Sequence, residues 1–380
     1  MRIALAVGLC LLAVTATAEP RSKSSANLEP QLSPAAYIQR EKLRAEMNAN
    51  VVTIMAGSPN GTDLGIAYDI ARVVDDGDNL RVLPIVGQGA AQSVKDVMFL
   101  KGVDMGITQA NIIKYFARTD ELGPNLVDQI VYVAKLFTEE VHILVRSDVS
   151  DIKQLDGKAV NFGEEGSGTD ITAQLVLDAL GVKVQPVHLS DLEAIEKLRS
   201  GEIAAVIVMA GKPSPELAPL NNAEGLKFLP IPYAKELEDA YYPAILTHND
   251  YPNLISTGES VDTVSVCTLL IAFNWSDDNA RYKRVAKFID AFFSKFDAFV
   301  QSSHNPKWRE VNFAATLEGW HRSPASQAWI DRAETAAAAN SKSSFDTFLA
   351  NNTETAGKPM SDSERAELFR AFLEWSKNPH

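Results

Sequence analysis

Along this chain, apolar runs repeatedly stop at glycine and give way to apolar residues at helical spacing, and any fold must accommodate that alternation. "VVTIMAG" is followed by "SPNGTDLGIAYDIARVV", and "LRVLPIV" by "GQGAAQ" and "SVKDVMFL", after which "VDMGITQ" opens another strand. "LDGKAVNF" leads in the same way into "GEEGSGTDITAQLVLDALGV", and "IEKLRSGEIAAVIVMAG" supplies a helix and a strand that again ends at glycine. Strand, glycine loop and helix in alternation predict parallel α/β sheets with helices on their faces. Between these groups, "IVYVAKLFTEEVHILVRS" offers two strand-like runs with no helix between them, as expected where a chain leaves one sheet for another. With 380 residues, 46% of them apolar, there is enough chain for two cores. The expected architecture is α/β with two lobes: lobe 1 over residues 50–138, lobe 2 over 139–240, and a return to lobe 1 over 241–304 through late strands in "VDTVSVCTLLIAF". Residues 305–380 read as a helical C-terminal extension, either packed across one lobe or presenting a docking surface.

The first residues read as an export signal. Met1-Arg2 is a short positive start, Ile3 to Val14 an apolar stretch, and Ala16-Thr17-Ala18 a small-x-small pattern, so cleavage is expected after Ala18 and the mature protein in the periplasm. Residues 19–49 then form a polar leader and one helix, "AAYIQREKLRAEMNAN". Cleavage removes Cys10 and leaves Cys267 without an intramolecular partner, so no disulfide is expected and Cys267 reads as a buried small hydrophobe. Loss of Arg2 from 36 basic residues, against 49 acidic ones, gives a mature net charge of −14. That acidity argues against nucleic acid or an anionic membrane surface as partner.

A small anion is a different matter, because helix N-termini bind one through backbone amides alone. Gly163 to Thr169, between a strand and a helix, can hold a carboxylate in this way. The nucleotide motifs fail: Thr169 stands where a phosphate-loop lysine belongs, and Gln92 replaces the third glycine of a dinucleotide fingerprint. The nucleophile elbow around Ser167 fails at Glu165. The six histidines are scattered singly, with no zinc spacing. No cofactor, metal or catalytic residue is therefore expected. Carboxylate pairs such as Glu139-Glu140 read as solvated faces, and Ser167 has a competing reading as a plain helix cap.

Five segments in order, "TIMAGSPNGT", "GQGAAQSVKDVMFLKGVDMGITQAN", "GEEGSGTDITAQLVLDALGV", "LRSGEIAAVIVMAGKPSPEL" and "VDTVSVCTLLIAF", resemble solute receptors of the TAXI type, the periplasmic subunits of one class of TRAP transporter. The resemblance spans roughly Val51 to Phe299. It implies a type II periplasmic binding fold, a two-lobed clamp for a small carboxylate or a glutamate-like amino acid, no enzymatic turnover, and a TRAP-type membrane permease as partner of a monomeric receptor. It places Gly57, Ser58, Asn60, Gly61 and Thr62 in a first binding loop, Gln88, Gly89 and Ala90 in a second, and Gln109 at a strand end. Ser167, Gly168 and Thr169 fall in the second lobe's carboxylate loop, opposite Met209, Ala210 and Gly211. The bland readings are a rim or capping role for Gln109 and packing for Met209. A periplasmic ligand sensor for a signalling partner would use the same clamp. Asp63 departs from the family, where many members carry an aromatic. It reads first as a helix-dipole residue; facing the cleft, it would favour an ammonium-bearing ligand.

Overall fold

The computed structural model describes residues 33–351 except 60, 78 and 302, together with 364, 367–370 and 372. The expected signal segment, Cys10 and Asn60 lie outside the described residues. Helix α1 (Pro34–Ala49) belongs to a separate N-terminal unit ending at Asn48 and buries none of its residues.

From Ala49 onward the chain forms a single unit. The first lobe alternates as expected: β1 (Val51–Met55), α2 (Thr62–Val74), β2 (Arg81–Ile85), α3 (Ala90–Phe99), β3 (Met105–Gln109), α4 (Ala110–Thr119) and the single turn α5 (Leu126–Gln129). Strand β4 (Ile130–Arg146) follows. The second lobe contains β5 (Ala159–Asn161), α6 (Gly168–Ala179), β6 (Gln185–Val187), α7 (Asp191–Ser200), β7 (Ala205–Ala210), β8 (Leu226–Phe228) and β9 (Tyr242–Thr247). Strand β10 (Ser260–Phe273) leads back to α8 (Ala280–Ser294), α9 (Phe296–Phe299) and finally α10 (Pro324–Asn351).

One sheet path runs β2-β1-β3-β10-β4-β7-β5-β6, with β8 on β4 and β9 on β10. The β1 pairings with β2 and β3, and the β5 pairings with β6 and β7, are parallel. The two long strands make the molecule two-lobed. The first half of β4 pairs with the end of β10, which on its other edge pairs with β3, whereas Glu140 to Val145 of β4 pair antiparallel with Ala210 to Ala205 of β7. Where two strand-like runs were expected, β4 is one continuous strand, and 14 of its 17 residues are buried. A strand covered on both faces reads as a continuous apolar run, so periodicity could not show that it is unbroken.

This is the two-lobed α/β fold that the resemblance implies, with two departures from the expected boundaries. Strand β9 pairs with Ser260 to Ser265 of β10, on the second lobe's side of the crossing, so the chain returns within β10 and not at 241. Nor does the C-terminal part begin as an α-helix at 305; α10 starts only at Pro324. A tight 3-10 turn, Pro306–Glu310, buries Lys307 and Trp308 against the first lobe. Farther on, Tyr132 N donates to His321 O and Ser323 N to Tyr132 O. The Trp329 ring of α10 meets Phe293 edge-on at 5.2 Å, so the described part of the extension packs on lobe 1. Cys267 is buried and free.

Candidate functional site

The helix starts that the sequence singled out converge on the seam between the lobes. Gly89 caps α3 at φ +122, a conformation open to glycine at little cost, and a Cβ placed on it would lie 3.6 Å from Gly168 N. A Cβ on Gly168 would come within 2.9 Å of both Ala90 Cβ and Gln109 Oε1. The N-termini of α3 and α6 therefore meet face to face, one from each lobe, and both bring the positive end of a helix dipole to the same place. The Ser167 hydroxyl accepts from Asp170 N at 3.1 Å, and the Asp170 carboxylate accepts from Gly166 N at 2.8 Å. Ser167 is thus the helix cap of its plainer reading. The amides of Gly168 and Thr169, which follow that cap, have no intrahelical acceptor, and Gly168 N stands at the seam.

The first binding loop contributes differently. Ser58 O accepts from Gly61 N in a tight turn, Gly57 lies against Asp63, and the Thr62 hydroxyl reaches across the seam to accept from Gly211 N at 3.1 Å. Ala210 pairs with Glu140 and Met209 with Val141, and the Met209 side chain is half-buried against a core cluster. Gln88 is exposed, and its N–H donates to Gln92 Oε1 at 2.5 Å. Farther along the seam, Asn111 of α4 donates to Thr172 Oγ1 of α6 at 2.8 Å and to Tyr241 OH at 3.1 Å. Sequence reasoning passed over this contact, because a lone asparagine in a helix carries no signal of what it faces.

Three carboxylates lie beneath the seam, where the two long strands cross. Asp63, Glu139 and Glu140 are at most 6% exposed, so the reading of Glu139-Glu140 as a solvated pair is overturned. They occupy the middle of β4, where both faces of the strand are covered, and the dyad "EE" has no pattern that distinguishes this from a surface turn. Asp63 does stand in the first turn of α2, as its helix-dipole reading expects, but it is buried. Burial pushes its carboxyl up to about 7. Glu139 is held well above the usual carboxylate range, first by burial and then by the neighbouring Asp63 charge.

The two glutamates are compensated very differently. Glu140 receives the Lys307 ammonium at 2.9 Å and 3.2 Å, and its Oε2 accepts from Lys212 N at 2.9 Å. Lys307 also pairs with Glu310 at 2.9 Å, and Glu310 in turn accepts from Thr138 N and Oγ1. Glu139 accepts from Gln109 Nε2 at 2.6 Å. Gln109 is buried, which excludes the rim reading, and its Oε1 has no hydrogen-bond partner among the described residues. Asp63 Oδ1 is likewise buried without a partner. Lys307 was missed because it lies in a segment read as peripheral.

The arrangement thus has two poles: paired helix N-termini suited to an anion, and a buried acidic floor below them. Among the described residues, no group of three or more His, Cys, Asp or Glu side chains could hold a metal ion. No helix among them is long and apolar enough to cross a membrane.

Residues 54–318 match the model of the NMT1-like family. Among solved structures, the chain is similar to the periplasmic binding protein BugD, at 12% identity over 85% of this chain and 98% of that one, with a TM-score of 0.45. It is similar to a periplasmic transporter at 15% identity, over 66% and 84%, with a TM-score of 0.43. The malate-bound MatC of Rhodopseudomonas palustris is 17% identical over 69% and 87%, with a TM-score of 0.42.

Proposed function

We propose that this chain, which belongs to the NMT1-like family, is an extracytoplasmic solute receptor that captures a small carboxylate or amino acid by closing its lobes. The observation that carries this reading is the meeting of two helix N-termini, Gly89-Ala90 and Ser167-Gly168, from lobes joined by two continuous strands. Such strands act as a hinge, and amides from both sides desolvate a ligand together only when the lobes shut. The finer reading, supported by the five ordered motifs of the TAXI type, is a monomeric periplasmic subunit that hands its ligand unchanged to a TRAP-type membrane permease.

Thermal unfolding of the mature chain, freed of bound ligand by partial denaturation, tests this against amino acids, dicarboxylates, other organic acids and sugars. A ligand at a hundred times its dissociation constant is expected to add about 2.7 kcal/mol and raise the midpoint by a few degrees. Recovery of the responder unchanged supports a receptor; its consumption means an enzyme.

Closure itself is testable at the seam. Gly168→Ala puts a methyl 2.9 Å from Ala90 Cβ and Gln109 Oε1, a clash that exists only while the lobes are shut. Overpacking of this kind costs about 1–3 kcal/mol, so affinity for the responding solute is expected to fall about 5- to 150-fold by calorimetry. Unchanged affinity would mean that the ligand-bound form does not bring these loops together.

A further inference from the structure

Unlike Glu140, the carboxyls of Asp63 and Glu139 have no cationic side chain in contact with them among the described residues. Asp63 comes from α2, Gln109 from the end of β3 and Glu139 from the middle of β4, and all three are more than nine-tenths buried. The orientation of the Gln109 amide follows from its neighbour, because Nε2 must face the Glu139 carboxylate to donate to it. Oε1 then points the other way, to the seam, where it lies 2.9 Å from the position of a Cβ on Gly168. Two acceptors, Gln109 Oε1 and Asp63 Oδ1, are left without a donor among the described residues. Buried acceptors normally find one.

The nearby cation does not fill this role, because Lys307 is committed to Glu140 and Glu310. The raised carboxyls of Asp63 and Glu139 mark two buried groups with no cation in contact among the described residues, and an ammonium held between them would favour their charged forms. On the other side of the Gln109 carboxamide are the amides of α6, so the acidic and amide poles are separated by one planar side-chain group. A ligand with an amino group and a carboxylate on one carbon carries one group for each pole. A bare carboxylate would satisfy the amides and leave both acceptors unpartnered, and a second carboxylate would add negative charge to the floor.

We infer that Asp63, Gln109 and Glu139 form a recognition site for a protonated amine, and that the captured solute is a neutral or basic amino compound, not a simple or acidic carboxylate. This rests on the receptor reading above and decides between the ligand classes left open there.

The test compares matched probes on the mature full-length chain by thermal shift and calorimetry. One set is L-alanine, L-leucine and L-ornithine; the second is propionate, 4-methylpentanoate and glutarate; the third is L-aspartate and L-glutamate. At least one member of the first set is expected to bind at least tenfold more tightly than every member of the other two. Glu139→Gln and Asp63→Asn, which keep shape and remove charge, are each expected to weaken that binding at least tenfold. Equal or tighter binding of a deaminated acid or an acidic amino acid overturns the inference and leaves the receptor reading standing, as does a responder that both variants bind unchanged. If no probe in any set binds while a sugar or another solute of the wider panel does, the inference falls and the receptor reading stands; if nothing in either panel binds, both fall. The wild-type comparison decides the matter even where a variant fails to fold.

Discussion

Lys307→Met is expected to destabilise the folded protein by about 3–5 kcal/mol, because it leaves the Glu140 carboxylate buried without its ammonium partner. Both side chains are less than 5% exposed, so water cannot replace the missing charge. Glu310, which also pairs with Lys307, is 40% exposed and loses little. Urea unfolding should show a lower midpoint at nearly unchanged slope. Adding Glu140→Gln to the same chain should recover much of the loss, since it removes the orphaned charge. A single variant within about 1 kcal/mol of the parent would show that Glu140 takes up a proton at little cost and that the pair does not hold the crossing together.

Trp308→Ala is expected to be of similar size, about 3–5 kcal/mol, from the cavity left by a fully buried indole. The ring packs with Phe299 at 4.4 Å and Phe292 at 6.0 Å between centroids, and its Nε1 donates to Asp69 Oδ2 at 2.9 Å. Asp69 also accepts from Asn305 N and meets His304 Nδ1, each at 2.9 Å, so one helix residue pins the whole turn. Trp308→Phe, which removes the donor and the volume of one ring but keeps an aromatic in the core, should cost less than the alanine variant, about 1–3 kcal/mol. Comparing the two by urea unfolding separates packing from hydrogen bonding. Equal losses would mean that the Asp69 bond carries the effect. Negligible losses in both would mean that Pro306–Glu310 is not part of the cooperative core.

Both effects fall in a stretch that the sequence marked only as the start of a helical extension beyond the matched segments, and the reason is physical. "NPKWRE" has no strand or helix period, and a tight turn buries its side chains through contacts with α2 and β4 that are remote in sequence. The same applies to Glu139-Glu140. Two adjacent carboxylates usually face water, and only the pairing of β4 with β10 and β7 shows that these are enclosed on both sides. Asp63 was legible as a departure and as a helix-start residue. Its burial was not.

By itself the sequence determined the alternation of strand, glycine loop and helix, because apolar periodicity and glycine's backbone freedom are local properties. That was enough to place Ser167-Gly168 at a helix start and Gly89-Ala90 in the glycine loop ahead of one, although α3 already begins at Ala90 within that loop. Only the tertiary structure decided that these starts meet across the seam and that Asp63, Gln109 and Glu139 lie together beneath it. Burial, desolvation and pairing arise from residues brought together by strand order, and a linear pattern does not carry that information.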